Sequence, residues 1–319
     1  METVAYDVEA SSSFKHSPFR LVLETGSNVR QPLNLTGPHL FPIYDELRGL
    51  GHTDYAAWPL DHTQGRRHLI TFATARPAGF TEKDIVLIRE ALPLFSLVTE
   101  IRIKDQLART LLRTYVGPHA SEQILDGATT RGSGATISAA IMVCDLRNFT
   151  ALSVRRSRDD VIEVLNRYFD LVAEPIELYG GEILKFTGDG LLAVFPLDRP
   201  DACQRLILAV RRAYELASGD DTDGKNELLF GTGIHVGEVM YGNIGSKRRL
   251  DFTVIGPAVN LASRLESLTK ELRRPVLLSD TFVRTAELIT QTEYMGRHVL
   301  KGFDGAFEIH SLPLQARSV

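Results

Sequence analysis

The chain has 319 residues, of which 44% are hydrophobic and 24% are charged, and its formal net charge is −4. This length allows two domains, the composition is that of an ordinary globular protein, and the negative balance argues against nucleic acid as a partner. The N-terminus lacks a basic stretch followed by an apolar one, and no apolar run reaches the length of a membrane span, so the expected location is the cytoplasm.

The first 100 residues predict a tail and a small mixed domain. Residues 1–17 are polar, contain three consecutive serines and show no periodicity, which indicates a flexible tail. Within residues 18–100, apolar patterning predicts strands at 19–23 and 67–74, and a helix at 40–50.

A long amphipathic helix is predicted next. Thr81 is the expected N-cap, because acidic residues fill the turn that follows it. Apolar residues at three- and four-residue steps continue to Tyr115, and Pro93 is expected to kink the helix without ending it. The helix either packs on its own domain or forms a parallel dimer helix that carries a signal. We favour the dimer helix, since so long an apolar stripe needs a partner. Residues 101–134 form the predicted linker.

The remaining residues, 135–319, predict a second domain in which strands and helices alternate. The β-α-β-β-α-β order is the ferredoxin-like split unit with extra elements appended, which is an α+β fold. Strands are predicted at 139–144, 182–187, 190–195, 228–236, 238–244, 251–255, 275–278 and on both sides of Lys301; helices are predicted at 159–178, 200–217, 257–272 and, briefly, from Asp280.

Two aspartates lie where apolar runs meet turns in this second domain. Asp145 ends the run that begins at Ala139, and Asp189 lies between two glycines that are typical of a hairpin. Each aspartate alone is more typical of a structural turn. The fold predicts that their strand tips are neighbours, however, and paired buried carboxylates need a cation such as Mg²⁺.

Further polar residues accompany this pair. Lys185 is expected to share a strand face with Ile183, and in a nucleotide pocket it would donate to a ring acceptor of the base. Asn260 and Arg264 lie one helical turn apart, where a guanidinium is suited to stabilising a transferring phosphoryl group. Glu266 is expected to pair with a neighbouring base.

In combination these segments resemble the class III adenylate/guanylate cyclase catalytic domain over about residues 135–312. Residues 143–150 (VCDLRNFT) resemble its first metal-aspartate motif, and residues 185–190 (KFTGDG) resemble the base-lysine and second metal-aspartate motif. Residues 251–266 (DFTVIGPAVNLASRLE) resemble the segment with the second base contact and the transition-state pair. Residues 299–302 (VLKG) resemble the late phosphate-binding turn.

The resemblance implies a role for each matching residue. Two Mg²⁺ or Mn²⁺ ions would be held at each site, and the metal ligands and the Asn/Arg pair would come from different copies of the chain, so a homodimer is implied. The implied roles are metal binding by Asp145 and Asp189, base contact by Lys185 and Thr253, ribose orientation by Asn260, transition-state stabilisation by Arg264 and phosphate contact by Lys301.

The resemblance favours conversion of ATP to 3′,5′-cyclic AMP and pyrophosphate. Lys185 indicates adenine, because members that form cyclic GMP usually carry Glu at that place. The alternatives are a guanylate cyclase and a catalytically inactive nucleotide-binding regulatory module.

The N-terminal domain carries a weaker resemblance. Residues 79–93 faintly resemble the last helix of GAF-type sensor domains, which implies regulation by an unknown small molecule or protein. Trp58, Tyr55, His62 and His68 are candidates for lining a pocket, although scattered aromatic residues are more typical of a core.

Overall fold

The computed structural model describes residues 14, 16–34, 40–63, 65, 67–219 and 228–314. Contacts divide the chain into two compact units, residues 1–108 and 109–319. Most of the predicted tail lies outside the described residues, and the predicted domain boundaries at 17/18, 100/101 and 134/135 stay predictions. No helix among the residues in these ranges is long and apolar enough to cross a membrane.

The N-terminal unit is built on a three-stranded antiparallel sheet in the order β1-β2-β3. Tyr55 and Trp58, on the central strand, are buried in two separate apolar clusters, as expected of core aromatic residues. Its elements are α1 (Pro18–Thr25), β1 (Val29–Pro32), α2 (Pro42–Gly49), β2 (Asp54–Asp61), β3 (Arg67–Thr74) and the first part of α3 (Glu82–Val116).

The strand predicted at 19–23 is wrong, because these residues belong to helix α1. Pro18 stands in the first turn, and Gly26 ends the helix in a left-handed conformation with its N–H bonded to the Val22 carbonyl at 2.9 Å. Pro18 and Val22 are buried one helical turn apart, so the short apolar run has helical spacing. The central strand β2 was not predicted. Nearly all of its side chains are buried, so it lacks the alternation of a half-buried strand, and it contains Pro59.

Helix α3 begins as predicted. The Thr81 hydroxyl accepts from the Asp84 N–H at 3.2 Å, and the Asp84 carboxylate accepts from the Thr81 N–H at 2.8 Å. The helix runs for 35 residues and continues through Pro93. Its exposed apolar residues include Leu87, Leu94 and Ile101, at seven-residue spacing and 67%, 62% and 58% exposed. The first residues of the predicted apolar stripe, Ile85, Ile88 and Leu92, instead pack with Trp58 in the N-terminal unit, which is the alternative of a helix that packs on its own domain. Pairing of the exposed residues between two copies stays a prediction.

The C-terminal unit is an α+β domain with an eight-stranded sheet in the order β10-β11-β9-β7-β4-β6-β5, with β8 paired to β7. The central order β7-β4-β6-β5 is that of the predicted ferredoxin-like unit. Its elements are α4 (Pro118–Leu125), β4 (Gly134–Leu146), α5 (Phe149–Arg155), α6 (Arg158–Leu178), β5 (Glu182–Thr187), β6 (Gly190–Pro196), α7 (Ala202–Gly219), β7 (Phe230–Gly245), β8 (Leu250–Ile255), α8 (Pro257–Leu272), β9 (Val276–Ser279), α9 (Asp280–Thr285), β10 (Glu293–Val299) and β11 (Ala306–Ser311).

The two strands predicted at 228–236 and 238–244 are one continuous strand, β7, of 16 residues. Gly237 suggested a turn, but it pairs with Ala139 inside the sheet. A Cβ at Gly237 would lie 2.9 Å from the Ala258 Cβ, so glycine is needed there because helix α8 packs closely. The short helices α4 and α5 were not predicted.

The sheet of this unit is buried on both faces. Side chains of β4 alternate between two apolar clusters: Ala140 and Met142 enter the one covered by α6 and α7, and Ala139 and Ile141 enter the other, which includes residues of α8. Helix α8 approaches β7 so closely that a Cβ at Gly233 would lie 2.2 Å from the Ala262 carbonyl oxygen. The position of α8 is therefore fixed against the centre of the sheet.

Candidate active site

Asp145 and Asp189 lie at neighbouring strand tips, as the fold predicts. Asp145 is opposite Gly190 in the β4–β6 ladder. Asp189 lies in the two-residue loop between β5 and β6, and its carbonyl accepts from the Leu146 N–H at 3.1 Å. The chain therefore folds two acidic residues from different segments against each other.

The electrostatics of the pair suit an added cation. Burial and the negative charge of Asp145 raise the pKa of Asp189. The Lys270 ammonium, on α8, donates to Asp145 Oδ2 at 3.0 Å. The Lys270 ammonium thus supplies positive charge next to the two carboxylates.

The donor set fits Mg²⁺ or Mn²⁺ shared with a substrate. Among the described residues no group of three or more His, Cys, Asp or Glu side chains is placed to hold a metal ion. Two carboxylates are nevertheless typical of Mg²⁺ sites, because this ion keeps several waters and takes other oxygens from substrate phosphates.

A second ion pair lies behind the aspartates. Glu266, also on α8, is buried and lies 3.8 Å from Arg147 Nη1, which confirms the predicted pairing with a base. Arg147 Nη2 also donates to the Thr269 hydroxyl. Burial and the charge of Asp145 raise the pKa of Glu266. Arg147, which follows the end of β4, therefore contacts α8 at Thr269 and at Glu266.

Lys185 and Thr253 line one cavity of about 500 Å³, although they are 68 residues apart in sequence by difference of their numbers. The Lys185 ammonium lies 3.4 Å from Asp251 Oδ2, and both side chains are half exposed. Thr253 is buried. A donor and a hydroxyl therefore face one space of ligand size.

The predicted shared face of Ile183 and Lys185 is wrong. The register with β6 shifts between them, so that Ile183 is opposite Ala193 and Lys185 is opposite the adjacent Leu192. This irregularity breaks the simple alternation of a strand. It leaves Ile183 half-buried and Lys185 exposed.

Helix α8 carries Asn260 and Arg264 on an exposed face. Pro257 begins the helix, as predicted for this turn. Arg264 Nε donates to the Lys301 carbonyl at 3.1 Å. This contact brings the helix and the turn between β10 and β11 together.

The seven predicted residues thus lie at three places in the domain: the aspartate pair, the Lys185–Thr253 cavity, and α8 with the Lys301 turn. Sequence reasoning missed two charged neighbours, Lys270 and Asp251. The signal for Lys270 was its position one helical turn after Glu266 on the same helix.

Comparison with known proteins agrees with this architecture. The family described as "Adenylate and Guanylate cyclase catalytic domain" matches residues 134–312. Adenylate cyclase 1 of Rhizobium meliloti is 31% identical over 184 residues, which are 56% of this chain but 28% of that protein. The chain therefore spans less than a third of this relative.

Solved structures give the same result. A bacterial light-regulated adenylyl cyclase, 24% identical, shares the fold with a TM-score of 0.59 over 72% of this chain and 65% of its own. The guanylyl cyclase Cya2 is 30% identical, with a TM-score of 0.50 over 58% of this chain and 96% of its own. Because the family match covers more than half of the 319 residues, the chain belongs to the class III adenylate and guanylate cyclase family.

Proposed function

We propose that this chain is an adenylate cyclase, which converts ATP to 3′,5′-cyclic AMP and pyrophosphate at sites shared between two copies of the chain. The observation that carries the proposal is the neighbouring pair Asp145 and Asp189, in which Asp145 accepts from the Lys270 ammonium. In the reaction the ribose 3′-oxygen bonds to the α-phosphorus, the bond to pyrophosphate breaks, and the 3′-hydroxyl proton is lost.

Each group of residues has a separate task in this proposal. Asp145 and Asp189 would hold two Mg²⁺ or Mn²⁺ ions, which when bound lower the pKa of the 3′-hydroxyl and offset charge on the phosphates. Asn260 orients the ribose, Lys301 contacts the phosphates, and Arg264 stabilises the charge that develops at the α-phosphate.

The choice of ATP over GTP rests on Lys185 and Thr253. The ammonium donates to a ring acceptor, and the hydroxyl both donates and accepts, which suits adenine with its exocyclic donor and ring acceptors. Guanine places its O6 acceptor and N1 donor in the reverse arrangement, at a cost of about 1–3 kcal/mol for each buried group left unpaired. The similarity to a protein named as a guanylyl cyclase makes GTP the competing substrate to test.

The test is turnover of purified protein with each nucleotide and Mg²⁺ or Mn²⁺. We expect kcat/KM for ATP to exceed that for GTP by about 10-fold or more, which corresponds to one mispaired group. The matched variant Lys185→Glu should lower this preference. Equal values, or a preference for GTP, would overturn the choice of ATP; no turnover of either would support the inactive module.

We infer that each site is shared between two copies of the chain. The aspartates would come from one copy, and Asn260 and Arg264 from the other. Mixing inactive Asp145→Ala protein with inactive Arg264→Ala protein should restore partial activity, because a mixed dimer has one site with both defects and one with neither. If subunit exchange is demonstrated and activity stays absent, the shared site is wrong.

Regulation by the N-terminal unit is part of the same proposal. The exposed apolar residues of α3, at seven-residue spacing, support a parallel pairing of this helix between two copies. Such a pair would connect a regulator bound by the first unit to the cyclase domain.

A further inference from the structure

The aspartate site contains more charged residues than the two aspartates of the family pattern. Three carboxylates interact there: Asp145, Asp189 and Glu266. Two cations face them, Lys270 and Arg147, with Lys270 bonded to Asp145 and Arg147 facing Glu266. The cluster thus has one more negative than positive group before any metal binds.

The two cations are held in different ways. Arg147 is mostly buried, and its guanidinium contacts both Glu266 and Thr269. Lys270 has a side chain that is 52% exposed, and the contact described for its ammonium is the one with Asp145. Arg147 is therefore held by several contacts within the fold. The Lys270 ammonium, in contrast, can exchange its contact with Asp145 for water without breaking another described contact.

The position of Lys270 on α8 favours such an exchange. Lys270 lies in the last turn of the helix, where the carbonyl groups favour a nearby positive charge. A lysine ammonium is also a strongly hydrated point charge on a flexible stem. Both properties stabilise the charged ammonium in a position where it no longer contacts Asp145.

We propose that Lys270 is the resident counter-cation of the aspartate pair: its ammonium holds Asp145 Oδ2 in the metal-free protein and leaves that oxygen when a divalent cation binds. This inference rests on the proposed metal role of Asp145 and Asp189. Lys270 is then a positioning residue that lowers the affinity of the site for metal, so that an ion binds tightly only when nucleotide phosphates add their own oxygens.

The first experiment measures Mn²⁺ binding to the full chain without nucleotide, by the loss of the free-ion EPR signal. We expect Lys270→Gln to bind Mn²⁺ about three- to fivefold more tightly, the range for removing a partly exposed ion pair. Arg274→Gln is the matched control, since it removes one positive charge from the exposed pair with Glu293. This control should bind as the unchanged protein does.

The second measurement follows Lys270 itself. Mass spectrometry after brief treatment with an acetylating reagent should show faster modification of Lys270 when Mn²⁺ is present, with exposed Lys247 as the internal reference. Unchanged or weaker Mn²⁺ binding by Lys270→Gln, or an unchanged modification rate at saturating Mn²⁺, overturns the proposal.

The outcomes separate this inference from the function on which it rests. If Asp145→Asn leaves Mn²⁺ binding intact, the metal assignment fails. If Asp145→Asn removes binding while Lys270→Gln does not tighten it, the metal assignment stands and the role of Lys270 is wrong.

Discussion

Both units of the chain place carboxylates at or next to strand ends, buried in the case of Asp54 and half-buried in the case of Asp145 and Asp189, but they surround them differently. In the N-terminal unit, Asp54 Oδ2 accepts from Arg30 at 2.8 Å and from the Phe80 N–H at 3.0 Å. In the C-terminal unit, Asp145 and Asp189 lie at neighbouring strand tips, and the half-exposed ammonium of Lys270 contacts Asp145. Removing a buried acid that has partners in its own fold leaves those partners unpaired and destabilises the fold, whereas two neighbouring acids favour an added cation.

Another carboxylate of the N-terminal unit, Glu100 on helix α3, differs from Asp189 in the direction of its pKa shift. The ammonium of Lys104 and the hydroxyl of Thr63 lower the pKa of Glu100, in the N-terminal unit, to about 2. Burial and a neighbouring carboxylate raise the pKa of Asp189. The first environment favours the charged carboxylate and the second disfavours it.

The sharpest test of this comparison is Asp145→Asn. The amide has nearly the same shape but lacks the charge that a divalent ion requires, so cyclisation should fall by about 10²-fold or more. Turnover with Mn²⁺ and circular dichroism measure the two properties, and the fold should be unchanged. Near-normal turnover would remove Asp145 from the metal site.

Asp54→Ala should lower the stability of the fold, whereas Asp145→Asn should lower activity without changing the fold. It leaves the Arg30 guanidinium and the Phe80 N–H without their shared acceptor, which costs about 2–4 kcal/mol of unfolding free energy. Denaturant unfolding measures the loss. The control is Asp61→Ala, which breaks an exposed pair with Arg67 and should cost less than about 1 kcal/mol. Equal losses in the two variants would contradict the contrast.

The smallest expected effect is a pH-dependent increase in the unfolding free energy of the metal-free protein when Asp189 is replaced by Asn. Folding raises the pKa of Asp189. Above that raised pKa the carboxylate is charged and destabilises the folded state. This penalty disappears as the pH falls toward 3.8, the ordinary pKa of the group in the unfolded chain. The variant should therefore be more stable at pH 7.5, by about 0.5 kcal/mol or less because the group is partly solvated, with a smaller gain near pH 4. Thermal unfolding at both pH values measures the difference, and a loss of stability at pH 7.5 would contradict it.

Much of the C-terminal unit follows from local sequence signals. Helices α6 and α8 and strands β5 and β8 were predicted to within a residue or two, because their apolar periodicity and their Gly and Pro boundaries agree. The neighbouring positions of Asp145 and Asp189 followed from the order of elements alone.

The errors arise where tertiary packing outweighs local signals. Gly237 lies between two strands predicted as separate, although the closeness of α8 is what requires glycine there. Strand β2 lacks alternation because both of its faces are buried. Lys270 was missed because a lysine at the end of an amphipathic helix is ordinarily a solvated surface residue, and its acidic partner is 125 residues away in sequence.

The close approach of α8 to β7 at Gly233 has a consequence for motion. A helix whose backbone lies against a strand with no side chain between them has no room to slide or tilt by itself. The backbone of α8, which carries Arg264 and Lys270, therefore moves with the sheet as a single rigid body. In the proposed dimer of such bodies, we expect opening and closing around a nucleotide to be a rotation of one copy against the other, which a cross-link between the copies should arrest.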